Sequence, residues 1–196
     1  MGGPLPRFSP PHLWMALELI GKHKRIGRGQ LAKIMKLGEG SVRTILERLN
    51  KLGLVLSARG GSCLSERGKK LLDELPTISE IKLRYLSLGK ISMISKVPGG
   101  SVRVTSGMEQ RDAAVQIGGK GATVLVFKKG KLRFPDGIEV RKEADAILAI
   151  SRPEEGDAII VGFGDDRISA ELATKAAVLS LLPKISKIFT ELCRVS

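Results

Sequence analysis

The chain has 196 residues, of which 42% are hydrophobic, and a mean hydropathy of +0.04, enough to bury one sizeable core or two small ones. Its 33 Lys and Arg residues against 20 Asp and Glu residues give a net charge of +13, which favours polyanionic partners. These values exclude a disordered tail protein. The longest apolar run, residues 176–182, is far shorter than the ~20 residues that span a bilayer, so we expect a cytoplasmic protein that binds no membrane.

Residue types that carry metal and redox chemistry are scarce in this chain. Cys63 and Cys193 are far apart and form no CxxC pair, and the only imidazoles are those of His12 and His23. We therefore expect no metal, no cofactor and no catalytic residue, with both histidines at the surface. The single asparagine and three glutamines are typical of a thermophilic source, because heat deamidates these side chains.

Proline and glycine positions divide the chain into three segments. Residues 1–10 contain three prolines and two glycines and are expected to form a flexible arm. Residues 11–76 show helical periodicity on both sides of a short β-ribbon, and Pro76 stops the last helix. Residues 77–196 mix strand and helix patterns. The predicted fold class is therefore α/β or α+β, with two domains.

Three short helices are predicted at the start of the second segment. Apolar residues at positions i, i+3, i+4 and i+7 define the first helix, which ends near Gly21. Residues 30–37 form the second, Gly38-Glu39-Gly40 form a turn, and Ser41 caps a third helix over residues 41–52. Two short helices joined by a glycine-containing turn are typical of the helix-turn-helix.

A β-hairpin and a fourth helix follow in the sequence. Residues 54–58 and 62–64 read as strands about the turn Arg59-Gly60-Gly61, which predicts a wing. Ser65 caps the next helix, whose leucines return to the core. We therefore expect a winged helix-turn-helix in residues 11–76, followed by a smaller mixed α/β domain in residues 77–196.

Five pieces of this segment occur in an order that one family shares. They are Gln30-Leu31-Ala32, Ser41-Val42-Arg43, Leu46-Glu47-Arg48-Leu49, Gly53-Leu54-Val55 and Leu64-Ser65-Glu66-Arg67-Gly68. The pattern resembles the winged helix-turn-helix domain of prokaryotic transcription regulators. The whole chain is similar to small archaeal DNA-binding regulators whose C-terminal domain is uncharacterised. This resemblance implies a regulator that binds double-stranded DNA, commonly as a homodimer.

The third helix is expected to read the major groove. Arg43 and Thr44 lie in its first turn and off its apolar stripe, where a recognition helix reaches base edges and arginine pairs bidentately with guanine. Arg48 and Lys51 are suited to phosphates. Ser41, with the free N–H groups of the helix start, is suited to a phosphate as well.

Basic residues outside that helix complete the expected DNA interface. Six of them lie between Glu18 and Glu39 with no acidic residue among them: Lys22, Lys24, Arg25, Arg28, Lys33 and Lys36. Arg59, at the tip of the wing in residues 54–64, is expected to contact the DNA backbone or the minor groove. An ordinary solvated helix face and a plain polar turn are the alternatives for a single lysine and for Arg59.

The third segment alternates strand and helix patterns. Strands are expected at 81–85, 91–95, 123–127, 132–134 and 158–161, and helices at 107–116, at 143–150 and after 166. Met108, Val115 and the Ala113-Ala114 pair are expected on the packed side of the first of these helices. Gly162 and Gly164 precede the last one, but no third glycine follows and two aspartates would repel a phosphate. Helix capping by Asp165 or Asp166 is therefore favoured over nucleotide binding.

The chain ends with a pair of helices. The second is amphipathic, and its apolar face consists of Ile185, Ile188, Phe189 and Leu192. Two interpretations stay open: this face forms a dimer interface, or both helices cover the sheet. In the first case a fragment ending at Pro76 should fold by itself and remain monomeric.

The leading hypothesis is a transcriptional regulator of duplex DNA, in which residues 77–196 dimerise, sense a small-molecule effector, or both. One alternative is an enzyme whose catalytic carboxylates, such as Asp157, Asp165 or Asp166, lie in that domain, although residues 81–196 contain no histidine. Another alternative is an architectural protein that binds DNA without sequence preference. Enrichment of particular sequences from random duplex DNA would separate the regulator from both.

Overall fold

The structure is a computed structural model that describes residues 8–194. Within these residues the chain forms two compact units, one made of the chain up to Leu75 together with the chain from Ser186 onward, and the other of Pro76–Ile185. The predicted fold class, helical at the start and mixed α/β thereafter, is confirmed, although the second unit is the larger one. The expected arm over residues 1–10 lies mostly outside the described residues, and the first helix begins at Pro10.

The first unit contains the expected helices and hairpin. Its elements are α1 (Pro10–His23), α2 (Arg28–Met35), α3 (Glu39–Lys51), β1 (Val55–Ala58), β2 (Gly61–Leu64) and α4 (Glu66–Asp73). The apolar stripes of α1, α2 and α3 form its core, with Trp14, Leu17, Leu31, Ile45 and Leu49 fully buried. The hairpin is antiparallel, with Val55 opposite Leu64, and a bridge from Ile26 to Ser62 attaches it to the chain before α2.

The turn between α2 and α3 differs from the prediction. Lys36 takes the left-handed conformation (φ 53°) at the end of α2, and the N–H of Leu37 donates to the carbonyl of Ala32. The chain therefore reverses before it reaches the glycines, and Gly38 has an ordinary φ of −63°. Gly38 is the N-cap of α3, so Ser41 lies inside the helix and the prediction that it caps α3 was wrong.

The structure explains the Leu-Ser-x-x-Gly motif at residues 64–68, which follows the wing. Ser65 is the N-cap of α4, where its hydroxyl accepts the N–H of Gly68 at 3.0 Å and donates to the carbonyl of Gly53. Gly68 lies directly against the carbonyl of Leu54, with no room for a Cβ. These two residues thereby attach α4 to the first wing strand.

The second unit is an antiparallel sheet with helices on both faces. Its strands are β3 (Ile78–Ile81), β4 (Ile91–Val97), β5 (Gly121–Lys128), β6 (Lys131–Arg133) and β7 (Ala158–Gly164), in the order β3-β4-β7-β5-β6. Its helices are α5 (Met108–Gln116), α6 (Ala144–Ser151) and α7 (Arg167–Ser180), and the last helix of the chain, α8 (Pro183–Arg194), begins here. Alternate residues of β7 face opposite sides of the sheet. Ile159, Val161 and Phe163 pack in one core with Ile147 of α6, whereas α7 covers the other side.

Close packing explains the glycines of β7. A Cβ on Gly162 would overlap the backbone and hydroxyl of Thr174, and one on Gly164 would overlap the backbone of Ala170. Asp166 is the N-cap of α7 and accepts the N–H groups of Ile168 and Ser169 at 2.9 and 3.0 Å. The expectation of helix capping at this position is confirmed. The glycines bring helix and strand together and leave no space for a nucleotide.

Two sequence expectations for the second unit were wrong. The strand predicted at 81–85 lies instead at Ile78–Ile81, and it is followed by a loop in which the N–H groups of Tyr85 and Leu86 donate to the Glu143 carboxylate. Met108 and Val115 of α5 are exposed, whereas Ala114 is buried as predicted and Gln110 is the other buried position of that helix. The amide of Gln110 donates to the hydroxyl of Ser180, so a polar residue occupies part of the packed side.

His12 is buried, which corrects the expectation that both histidines lie at the surface. The N–H of Ser9 donates to its Nδ1 at 3.2 Å, an arrangement that needs the neutral ring, and burial lowers the pKa of His12 below its ordinary value of 6.5. The unfolded chain therefore binds more protons near and below that pH. The first unit should keep its full stability above pH 6.5 and lose stability as the pH falls through that value.

Denaturant unfolding followed by the fluorescence of Trp14, the only tryptophan, should show this loss between pH 7.5 and 5.5. His12→Gln should remove that part of the pH dependence. The matched change His23→Gln should leave it in place, because His23 is exposed. Equal pH profiles for the wild-type protein and His12→Gln would contradict the assignment.

Candidate nucleic-acid interface

The outer face of α3 is accessible. Arg43, Glu47 and Lys51 are exposed and follow one another at helical spacing along the side opposite the buried stripe. The guanidinium of Arg43 lies 3.8 Å from the carboxylate of Glu47, and both side chains are 64% exposed. An ion pair this exposed contributes little to stability. The guanidinium can therefore exchange its carboxylate partner for a base edge or a phosphate at small cost.

Ser41 and Thr44 lie at the edge of this face and are partly buried. The Thr44 hydroxyl donates to the carbonyl of Gly40 at 3.1 Å, and its remaining lone pair can still accept a hydrogen bond. Ser41 is the third residue of α3, so its N–H is among the helix-start donors that have no partner within the helix. Because α3 begins at Glu39, Arg43 and Thr44 lie in its second turn and not, as was predicted, in the first. The first half of α3 thus combines two hydroxyl groups with the Arg43 side chain.

Arg48 does not belong to the accessible face, which corrects its assignment to phosphate contacts. Its guanidinium donates to the carbonyls of Leu192 and Cys193 at 2.6 and 2.9 Å and lies 5.2 Å from the ring centre of Phe8. These carbonyls belong to the last turn of α8, where a positive charge also interacts favourably with the helix dipole. Arg48 therefore attaches the last helix of the chain to α3.

The apolar face of α8 is covered by the chain itself. Phe189 is fully buried, Leu192 and Ile185 are nearly so, and only Ile188 is partly exposed, at 37%. The prediction that this face forms a dimer interface was therefore wrong, because the face is largely buried. It consists of Ile185, Ile188, Phe189 and Leu192. Neither open interpretation holds for the whole helix, because its residues from Ser186 onward complete the first unit instead of covering the sheet. Burial also raises the pKa of the Cys193 thiol to about 11, which leaves it unreactive at neutral pH.

Two of the predicted basic residues meet at the wing. The guanidinium of Arg25 donates to the carbonyl of Arg59 at 3.2 Å, so Arg25 supports the turn on which the exposed Arg59 stands. Gly61, in a left-handed conformation, lies against the carbonyl of Ile26 with no room for a Cβ. The Arg25 side chain therefore bonds the backbone of the wing turn, 34 positions away in the sequence.

The other basic candidates lie on the surface of α1, α2 and α3. Arg28, in the first turn of α2, forms an exposed ion pair with Glu39 at 3.3 Å and so links the starts of α2 and α3. Lys22, Lys24, Lys33 and Lys51 are exposed and have no side-chain partner among the described residues. Lys36 is exposed as well, at the left-handed end of α2. Lys22, Lys24, Lys33 and Lys51 are available for phosphate contacts.

The described residues hold no group of three or more His, Cys, Asp or Glu side chains placed to bind a metal ion. None of the helices between residues 8 and 194 is long and apolar enough to cross a membrane.

Both parts of the chain are similar to known families. Residues 17–70 match the family described as "PH0730-like, N-terminal domain", and residues 88–181 match a "Domain of unknown function (DUF4443)". The fold is similar to that of the "Hypothetical protein PH0730 from Pyrococcus horikoshii OT3", with a TM-score of 0.71 and 23% identity over 95% of this chain and 100% of that chain. No curated protein matches the chain. The structural similarity shows that the two chains share a fold.

Proposed function

We propose that the protein is a transcriptional regulator that binds double-stranded DNA through its first unit. The observation that carries the proposal is the accessible face of α3, on which Arg43 and Lys51 are exposed beside a hairpin tipped by Arg59. A helix of this kind fits the major groove, and a hairpin beside it reaches the backbone or the minor groove. The net charge of +13 favours the same partner.

The residues have separate tasks in this proposal. Arg43 reads a base, because its long, exposed side chain lies in the first half of α3 and can pair bidentately with guanine. Lys51, Lys33 and Arg59 contact phosphates, which position the helix but carry no sequence information. Glu47, beside Arg43, repels phosphates and can accept a hydrogen bond from the amino group of cytosine.

The proposal also includes dimerisation of the protein and a regulatory role for the second unit. A regulator of this kind binds two half-sites as a homodimer, and the second unit supplies either a surface for pairing or a site for a small-molecule effector. The buried side of α8 is not that surface, since Phe189 and Leu192 are already covered. Sedimentation of the protein on a duplex that carries one half-site or two tests the pairing directly.

Arg43→Ala should reduce discrimination between duplex sequences by about 1–3 kcal/mol at one base pair, because the loss of a bidentate contact removes preference for one base. Lys51→Ala is the matched control on the same face. It should weaken all sequences alike and flatten the dependence of affinity on salt. The measurement is selection from random duplexes, followed by titration of the enriched and the random duplex.

Two results would contradict the proposal. Selection that enriches no sequence would favour an architectural DNA binder. If Arg43→Ala lowers the affinity for enriched and random DNA equally, Arg43 does not read a base.

A further inference from the structure

The loop between β3 and β4, residues 82–90, is held in one shape by a carboxylate. Glu143 accepts the backbone N–H groups of three consecutive residues, Arg84, Tyr85 and Leu86, the last two at 3.1 and 2.9 Å. Consecutive N–H groups that converge in this way form a concave anion site, and here the anion is a side chain of the same unit. The first half of the loop is therefore fixed.

The second half of the loop is fixed as well. The hydroxyl of Ser87 donates to the carbonyl of Gly89 at 2.8 Å and accepts the hydroxyl of Ser92 at 2.9 Å. Gly89 lies directly against the backbone of Gly164, with no space for a Cβ. The loop joins two strands of one sheet and is bonded at both ends, so its side chains project from a rigid base.

This rigid loop presents apolar side chains to solvent. Tyr85 is 60% exposed and Leu88 is 66% exposed, and Tyr85 is the one exposed aromatic residue among those the structure describes. An aromatic ring in water is unfavourable, and the backbone bonds to Glu143 already hold the loop without it. The exposed ring of Tyr85 is therefore not needed to hold the loop and is available to a ligand.

Two cations lie near the Tyr85 ring, and a third lies beside Leu88. Lys142 Nζ lies 4.3 Å and Arg84 Cζ lies 5.9 Å from the centre of the Tyr85 ring. Arg111 of α5 lies beside Leu88, since both side chains come within 4 Å of the place where a side chain of Gly121 would begin. The Glu143 carboxylate accepts the loop N–H groups and keeps its negative charge, so the three cations Arg84, Arg111 and Lys142 outnumber this one anion.

We propose that this Tyr85 surface, made of Arg84, Tyr85, Leu88, Arg111 and Lys142, binds an unpaired nucleotide of a nucleic-acid strand. The ring stacks on a base, and the cations contact the phosphates on either side, which is how proteins hold single strands without reading their sequence. The proposal goes beyond duplex binding by α3, because it concerns the other unit and an unpaired base. One aromatic ring accommodates one base, so the site is short and tolerant of sequence.

Crosslinking of the full-length protein to a 12-nucleotide oligothymidine that carries 5-iodouracil tests the proposal. Light should attach the oligonucleotide to the tryptic peptide 85–90, which cleavage after Arg84 and Lys90 releases. Tyr85→Ala should weaken oligonucleotide binding by about 5-fold or more, the loss of one stacked base. Tyr85→Phe keeps the ring and should bind nearly as well as the wild type. Arg84→Gln with Lys142→Gln should reduce the dependence of binding on salt.

Val102→Ala is the control for this experiment. Val102 is 83% exposed and lies beyond the opposite end of β4, so its replacement should change nothing. Crosslinks confined to peptides from the first unit, or equal affinities for Tyr85→Ala and Val102→Ala, would overturn the proposal. Equal binding of polyglutamate by the wild type and Tyr85→Ala, with no crosslink at 85–90, would overturn it in favour of an acidic protein segment.

The outcome is independent of the function proposed for α3. Arg43→Ala should leave the crosslink to peptide 85–90 unchanged, and Tyr85→Ala should leave the selection of duplex sequences unchanged. The two proposals can therefore fail independently, and the two readouts show which of them has failed.

Discussion

Replacing Phe189 with alanine is expected to lower the free energy of unfolding of the first unit by about 3–5 kcal/mol, because this fully buried ring would leave a cavity that its neighbours fill only in part. Phe189 lies in α8, close to the end of the chain, yet α8 from Ser186 onward belongs to the compact unit that begins at the other end. The measurement is denaturant unfolding followed by Trp14, which is buried in α1 of the same unit.

Ile188→Ala is the matched control, one residue away on the same helix. Because Ile188 is partly exposed, its replacement should cost less than about 1 kcal/mol. A Phe189→Ala protein whose Trp14 transition coincides with that of Ile188→Ala would show that α8 does not stabilise the first unit in solution.

The same packing reverses one expectation from the sequence. A fragment that ends at Pro76 keeps the helices and the wing but loses α8, which leaves the guanidinium of Arg48 without the two carbonyls it bonds. It also uncovers the apolar surface under Phe189. Loss of such contacts at a buried position is destabilising, so the fragment is no longer expected to form a stable unit by itself.

Local periodicity was sufficient to predict the helices of the first unit but not the roles of their polar residues. Arg43 and Arg48 both lie off the apolar stripe of α3, and helical spacing alone does not distinguish them. What separates them is a hydrogen bond between residues 144 positions apart, from Arg48 to Leu192. No pattern in the sequence encodes such a contact. Ser65 and Gly68, after the wing, could be recognised from the sequence, because helix capping and close packing require these residue types.

In the second unit too, local sequence patterns predicted some elements, whereas contacts between residues distant in sequence determined others. Alternation correctly predicted β4, a short apolar run predicted β7, and β5 was also expected as a strand. Alternation failed at residues 82–85, where the chain forms a loop and Glu143, 58 positions from Tyr85, accepts backbone N–H groups of that loop. The Tyr85 surface was missed for that reason, and the signal available in the sequence was a lone tyrosine within a basic stretch.

Gly162→Ala is expected to lower the free energy of unfolding of the second unit by about 3 kcal/mol or more, at the upper end of the range for an overfilled core. The added Cβ would overlap the backbone N and Cα of Thr174 as well as its hydroxyl. Side-chain rotation cannot relieve an overlap with backbone. The strand cannot withdraw either, because β7 is paired on both sides, with β4 and with β5.

Gly40→Ala is the matched control, and it is expected to raise the free energy of unfolding instead of lowering it. Gly40 lies within α3 with no atom near the place of its Cβ, so alanine should raise stability by about 0.5–1 kcal/mol through a smaller loss of backbone entropy. Hydrogen exchange should show faster exchange of the β7 and α7 amides in Gly162→Ala, while Trp14 reports whether the first unit unfolds at its usual denaturant concentration. A Gly162→Ala protein with unchanged exchange would mean that α7 lies farther from β7 than the structure places it, and the space at this glycine would again be open to a ligand.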